Sequence, residues 1–161
     1  MKIDREIRVA TESDLDVLVR LTAGFRDHLR QSTPSEADFR ASITRLLKDT
    51  ATEFFLACHT REMALGYVQC RYRYSAWISG VEAELEDVFV VCEARRCGVG
   101  RRLIEFAMAH AAKRGCRSIG LNTNERNEGA LALYQRLGFV AERALWNGGR
   151  QLWLQRSLAT V

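Results

Sequence analysis

A chain of 161 residues has room for one domain with a sizeable core, read here as a single domain over residues 1–161. Its 47% apolar and 27% charged residues are the balance of a soluble globule, with no apolar run of membrane-span length and no secretory h-region at the N-terminus. A net charge of +4, without interleaved basic and aromatic residues, speaks against a nucleic-acid partner.

The elements follow in order. Ile7–Ala10 predicts a short strand. Thr11-x-x-Asp14 resembles a capping box, and Leu15, Leu18, Val19, Thr22 and Phe25 keep helical spacing as far as Arg30. A break at Gln31–Pro34 precedes a second box, Ser35-x-x-Asp38, and a helix with Phe39, Ile43, Leu46 and Leu47 on one face. Phe54–His59 and Ala64–Arg73 read as strands joined near Arg61-Glu62, with Gly66 marking a bulge or close approach. Tyr74–Gly80 is a loop, and Glu82–Val91 is the central strand. Gly98–Arg114 is a helix closed by Gly115, Ser118–Asn122 a strand, and Asn127–Leu137 a helix stopped by Gly138. Phe139–Trp146 and Gln151–Leu158 predict a closing hairpin around Asn147-Gly148-Gly149, whose aromatic surface is the candidate for a homodimer contact.

Five cysteines, an odd number without a Cys-x-x-Cys pair, read as reduced thiols of a cytoplasmic protein. His28, His59 and His110 are scattered, so no metal site is expected.

The strand–turn–helix from Glu84 to Leu103 organises the rest. Unpaired N–H groups at a helix start, with the positive end of the helix dipole, suit an anion. Gly98 and Gly100 let the main chain approach it, and Arg95, Arg96, Arg101 and Arg102 add charge. A P-loop needs a lysine after its last glycine, and a dinucleotide fingerprint needs a third glycine where Leu103 stands; neither matches. What remains, Arg95-x-x-Gly98-x-Gly100, resembles the acetyl-CoA signature of the GNAT N-acetyltransferase superfamily. Asn127-x-x-Ala130-x-x-x-Tyr134-x-x-x-Gly138-Phe139 is similar to that superfamily's later motif, and Ile7–Asp14 to its usual opening.

The resemblance implies an α/β (α+β) fold with a mixed, mostly antiparallel twisted sheet, splayed central parallel strands and helices on both faces. It implies acetyl-CoA as co-substrate. The diphosphate would lie on Arg95, Arg96, Cys97, Gly98, Val99, Gly100 and Arg101, with Cys97 where a lysine or arginine is more usual. The pantetheine amides would pair with the strand edge at Phe89, Val90 and Val91. The Val90 N–H is the implied oxyanion donor, Asn127 an implied contact of the cofactor arm, and Tyr134 the implied proton donor to the thiolate.

Acetyl transfer to an amine needs a proton acceptor, because an alkylamine with pKa ~10.4 is protonated at neutral pH. Glu84 and Glu86, two apart on one strand, are the candidates on a shared face. Asp87 is expected to point the other way. Direct attack is preferred to an acetyl-cysteine on Cys92 or Cys97, neither of which has a histidine nearby in sequence. Seven basic residues within 93–117 abut Glu82, Glu84, Glu86 and Asp87, a positive zone for a polyphosphate beside a negative zone for a cationic amine. Tyr72, Tyr74 and Trp77 are candidates for contact with the acceptor, although Arg71 and Arg73 could instead read an anionic group on it. The leading expectation is an acetyltransferase of a small-molecule primary amine. A protein N-terminal or lysine acetyltransferase and a non-enzymatic acyl-CoA-binding module are the alternatives.

Overall fold

The computed structural model describes residues 6–60, 63–140, 152 and 154–158. They fall in two compact units, one up to Arg126 and one from Asn127. The predicted turn at Arg61-Glu62 and most of the predicted C-terminal hairpin, including its Asn147–Gly149 turn, lie outside the described residues.

In the first unit the sheet order is β1 (Glu6–Val9), β2 (Thr52–Cys58), β3 (Ala64–Ser75), β4 (Gly80–Val90), β5 (Ser118–Leu121). Neighbours are antiparallel except β4 and β5, which run parallel. The helices are α1 (Leu15–His28), α2 (Glu36–Leu46) and α3 (Val99–Lys113). The predicted loop Tyr74–Gly80 shrinks to Ala76–Ser79, because β3 and β4 continue pairing out to Ser75 and Gly80.

Side-chain alternation along β2 explains why helices cover both faces. Phe54, Leu56 and Cys58 join Tyr67 and Phe89 under Leu18, Val19 and Leu21 of α1 and Ile43 of α2. Phe55 points the other way, with its ring edge-on to Phe106 of α3 at 5.4 Å. On α3, Val99, Leu103, Ile104, Ala107 and Ala111 form the buried stripe. At the α2 start, the Ser35 N–H donates to Asp38 Oδ2 (3.0 Å) and the Asp38 N–H to Ser35 Oγ (3.2 Å), the reciprocal bonding read from the sequence.

The second unit contains α4 (Glu128–Arg136). It ends in a Schellman motif: the Gly138 N–H donates to Gln135 O (3.0 Å) and the Phe139 N–H to Tyr134 O (3.0 Å), with Gly138 at φ 87. The accompanying apolar contact is the Tyr134 ring against Phe139, 6.0 Å between centroids.

One ion pair ties the first strand to the following turn. Arg8 donates through both terminal nitrogens to Asp14, at 2.8 and 2.7 Å, and the Thr11 N–H adds 2.8 Å. Bonding to Arg8 holds the Asp14 carboxyl down at about 2, against 3.8 ordinarily. A depressed carboxyl stabilises the fold fully above its unfolded pKa, and that contribution disappears as pH falls through its folded value. Urea unfolding should therefore show about 2 kcal/mol disappearing between about pH 4 and pH 2. Asp14→Asn should lower stability at neutral pH and remove this acid-dependent part; an unchanged acid profile would contradict the assignment.

Candidate active site

β4 has two different halves. From Glu82 to Leu85 it pairs with β5, ending at Leu85 opposite Leu121. Beyond Leu85, up to Val90, its β5 side has no partner strand among the described residues and forms an edge. On the other side, the Val91 N–H donates to Leu65 O at 2.9 Å. In an antiparallel ladder, alternate residues turn their polar groups toward the partner strand. Phe89 therefore also faces β3, while Val88 and Val90 turn their N–H and C=O groups to the open edge. Of the three residues expected to line that edge, Val90 alone does so with its main chain. Phe89 is instead a core side chain, stacked on Phe25 at 5.3 Å.

The β3 backbone comes close here because Gly66 has no side chain. A Cβ at Gly66 would lie 2.5 Å from Phe89 O and 3.1 Å from Val90 Cα. The close approach read from this glycine is present.

The β3–β4 register shifts between Gln69 and Cys70: Gln69 opposes Asp87, whereas Cys70 opposes Leu85. Glu86 is the extra residue of a β-bulge. Glu84 opposes Arg71, so the two lie on one face. Glu86 reaches that face as well, accepting from Arg71 Nε at 2.6 Å, from Arg71 Nη2 at 3.1 Å and from Gln69. Asp87, opposite Gln69, faces the same way and accepts from the Tyr67 hydroxyl at 2.9 Å. The expectation that Asp87 points away thus fails, because the bulge breaks the alternation on which it rested. A signal was present: two successive polar residues, Glu86-Asp87, interrupt an otherwise alternating strand. Burial, helped by the Glu86 charge, raises the Asp87 carboxyl above its ordinary value, while Tyr67 opposes the rise. Glu84 accepts from Asn122 Nδ2 at 3.3 Å.

The acceptor-side aromatics separate. Trp77 is exposed, at 99%. Tyr72 and Tyr74, two apart on β3, both lie on the face opposite Glu84. Tyr74 is exposed there, while Tyr72 is buried, its hydroxyl donating to Glu53 at 2.7 Å under the Arg114 guanidinium, 4.1 Å from the ring centre. That position takes Tyr72 away from Glu84 and Glu86 and makes it part of the packing beneath α3. Arg73 donates to Glu82 at 2.6 Å.

After Val90 the chain makes a short turn over Cys92–Ala94. Arg96 and Gly98 have φ 59 and 78, and Gly98 is the residue before α3. The first intrahelical bond runs from the Arg102 N–H to Gly98 O (3.1 Å), and Gly98 has no side chain with which to cap. The following N–H groups, of Val99, Gly100 and Arg101, thus have no partner within α3. Nothing lies within 4 Å of a Cβ built at Gly98, so its positive φ, not lack of space, is what calls for glycine. Arg101 pairs with Glu105 at 2.8 Å. Arg95 turns back: its Nε donates to Val90 O at 2.9 Å, and its guanidinium lies 5.8 Å from the Phe89 ring centre. Cys92 and Cys97 are exposed. A helix start with uncapped N–H groups, continued by an open strand edge, fits a diphosphate followed by an amide-bearing arm.

In the second unit, Asn127 precedes α4 without a side-chain capping bond, and its C=O accepts from the Leu131 N–H at 2.9 Å. Burial raises the Tyr134 hydroxyl above its ordinary value, so it is protonated at neutral pH.

The profile of the Acetyltransferase (GNAT) family matches residues 19–139, and the chain belongs to that family. It is 33% identical over 138 residues to an uncharacterized N-acetyltransferase of Methanocaldococcus jannaschii, covering 83% of this chain but 59% of that protein. It is 27% identical over 137 residues to an aminoglycoside N(6')-acetyltransferase type 1 of Stenotrophomonas maltophilia, covering 83% and 84% of the two chains. Its fold matches that of an aminoglycoside N-acetyltransferase solved in complex with CoA, with TM-score 0.76, 20% identity and coverage of 96% and 95%. The domain is thus an acetyltransferase domain of the GNAT fold. Among the described residues no cluster of metal-ligating side chains occurs and no helix is long and apolar enough to cross a membrane.

Replacing Gly98 by alanine forces a side chain into the left-handed region at a cost of about 1–2 kcal/mol. CoA binding to Gly98→Ala, measured by calorimetry, should weaken about tenfold. Unchanged affinity would mean that this turn does not hold the diphosphate.

Proposed function

We propose that this chain transfers the acetyl group of acetyl-CoA directly to a primary amine of a small molecule, with residues 1–161 acting as a single domain. The observation that carries this reading is the Val90 N–H, turned to an unpaired strand edge within a few residues of three carboxylates. Bound acetyl-CoA supplies an electrophilic thioester carbon. The N–H groups at the start of α3 hold the diphosphate, and the positive end of the helix supports them. Arg96 and Arg101 add charge beside that seat. The Val90 N–H donates to the acyl oxygen as negative charge develops there. A carboxylate of the Glu84–Asp87 stretch takes a proton from the ammonium. The amine nitrogen bonds to the acyl carbon as the carbon–sulfur bond breaks. The Tyr134 phenol, kept protonated by burial, gives its proton to the departing thiolate, and one of the amine's two remaining protons restores it while the other stays on the amide nitrogen. Asn127, whose side chain is not engaged in capping, contacts the cofactor arm.

Charge on the acceptor face favours a cationic amine over one bearing a phosphonate or carboxylate. Arg71 and Arg73, the groups that could read an anion, are engaged by Glu86 and Glu82. Glu84 and Asp87 have no ion pair among the described residues, so the face is net negative. A relative named for acting on aminoglycosides supports the same reading. Trp77, in the β3–β4 turn, supplies exposed aromatic surface for the acceptor.

Thiol release from acetyl-CoA, followed with a panel of alkylamines, amino sugars, amino acids, aminoalkylphosphonates and lysine peptides, tests this. Turnover with the cationic small amines is expected. Turnover with peptides alone would make the chain a protein acetyltransferase, and CoA binding without any release would make it a binding module. Tyr134→Phe should lower kcat about 10- to 100-fold while changing CoA affinity less than about threefold; an unchanged kcat would return Tyr134 to a packing role.

A further inference from the structure

Three carboxylates on one face can take the amine proton, and the structure separates them. We infer that Asp87, rather than Glu84 or Glu86, is the proton acceptor for the attacking amine, an assignment that rests on the acetyl-transfer reading above.

Position comes first. The acyl oxygen is assigned to the Val90 N–H, and strand residues rise about 3.3 Å each. Glu84 lies six residues back, about 20 Å along the strand, and still inside the paired half of β4 opposite Gly120. Asp87 lies three residues back, about 10 Å, and is past the end of the β4–β5 pairing. A proton acceptor must come within hydrogen-bond reach of the nitrogen or of one intervening water. Asp87 is the nearest of the three carboxylates to the oxyanion donor.

Occupancy comes second. Glu86 already holds three donors from Arg71 and Gln69. Asp87 Oδ2 accepts from the neutral Tyr67 hydroxyl, and no cation pairs with Asp87 among the described residues. The residue is half-buried. The groups around it are Glu84 and Glu86 on its own strand, and Tyr67, Gln69 and Arg71 on β3. From α1 come Thr22, whose hydroxyl lies beside that of Tyr67, and His28, which lies with Arg95 around the Phe89 ring. Burial lifts the carboxyl toward the range where a base is most effective, and the Tyr67 hydroxyl partly restrains it.

The proton balance is simple. The ammonium gives one proton to Asp87 and becomes a neutral amine. The nitrogen bonds the acyl carbon as the carbon–sulfur bond breaks, and its second proton leaves with the thiol. The Asp87 proton passes to solvent, and the carboxylate is restored.

The test is the pH profile of kcat/KM with an acceptor of pKa near ~10, so that any limb below about pH 8 belongs to the protein. Asp87→Asn should lower kcat/KM at neutral pH by at least about 100-fold and abolish the acidic limb. Glu84→Gln and Glu86→Gln should keep that limb. Tyr67→Phe removes the donor that favours the ionised carboxylate, so the limb should move upward by about half to one pH unit. A packing role for Tyr67 would leave the limb in place. An acidic limb retained in Asp87→Asn, or lost in Glu84→Gln or Glu86→Gln, overturns the assignment. If Asp87→Asn does not fold, as judged by thermal unfolding and CoA binding, the Tyr67→Phe shift decides. Failure of the acetyl-transfer reading shows separately, as wild-type protein that releases no thiol with any amine.

Discussion

The site depends on how β4 changes character partway along its length. Up to Leu85 it is an interior strand with partners on both sides. After Leu85 the parallel neighbour ends and one extra residue enters the β3 ladder. A strand whose main-chain groups face no partner must find other donors and acceptors or remain in water. Here Val90 O takes Arg95, while the Val90 N–H, turned to the same side, is the group that the proposed reaction uses. Gly66 permits the arrangement, since any side chain there would meet the Phe89 carbonyl. The bulge then puts Glu86 and Asp87, adjacent in sequence, on the same face as Glu84.

Electrostatics on that face is a balance of local pairs. Exposed ion pairs between long side chains contribute only about 0.2–1 kcal/mol. Arg71–Glu86 and Arg73–Glu82 therefore contribute little to stability. In the proposed reaction they bear on selectivity instead: the engaged arginines would offer little to a carboxylate or phosphonate, while the remaining carboxylates would attract an ammonium.

Most of the fold could be read from the chain. Helix starts were marked by Ser35-x-x-Asp38 and Thr11-x-x-Asp14, and helix ends by Gly115 and Gly138; the boundaries lie within about two residues of the observed ones. The glycine turn was legible because its chemistry belongs to the backbone and needs particular residues at particular positions. Part of the later motif proves to have a conformational reason: Tyr134, Gly138 and Phe139 are the bonding partners of a helix stop, besides whatever Tyr134 does chemically. The position of Tyr72 is not legible, because an aromatic beside charged residues looks the same whether it faces a ligand or lies under a helix. Only the register, which pairs it with Ala83, puts it beneath α3. The direction of Asp87 is hidden for a related reason. Counting by twos assumes an unbroken ladder, and the doubled polar pair that marks the break is easily taken for surface.

Arg95 has a consequence that reaches beyond its charge. Its guanidinium holds the carbonyl of Val90 and lies against Phe89, while its own backbone begins the turn that leads into α3. One residue thereby bridges the strand tip and the turn, the two places that in the proposed reaction receive the reacting head and the distant tail of one elongated ligand.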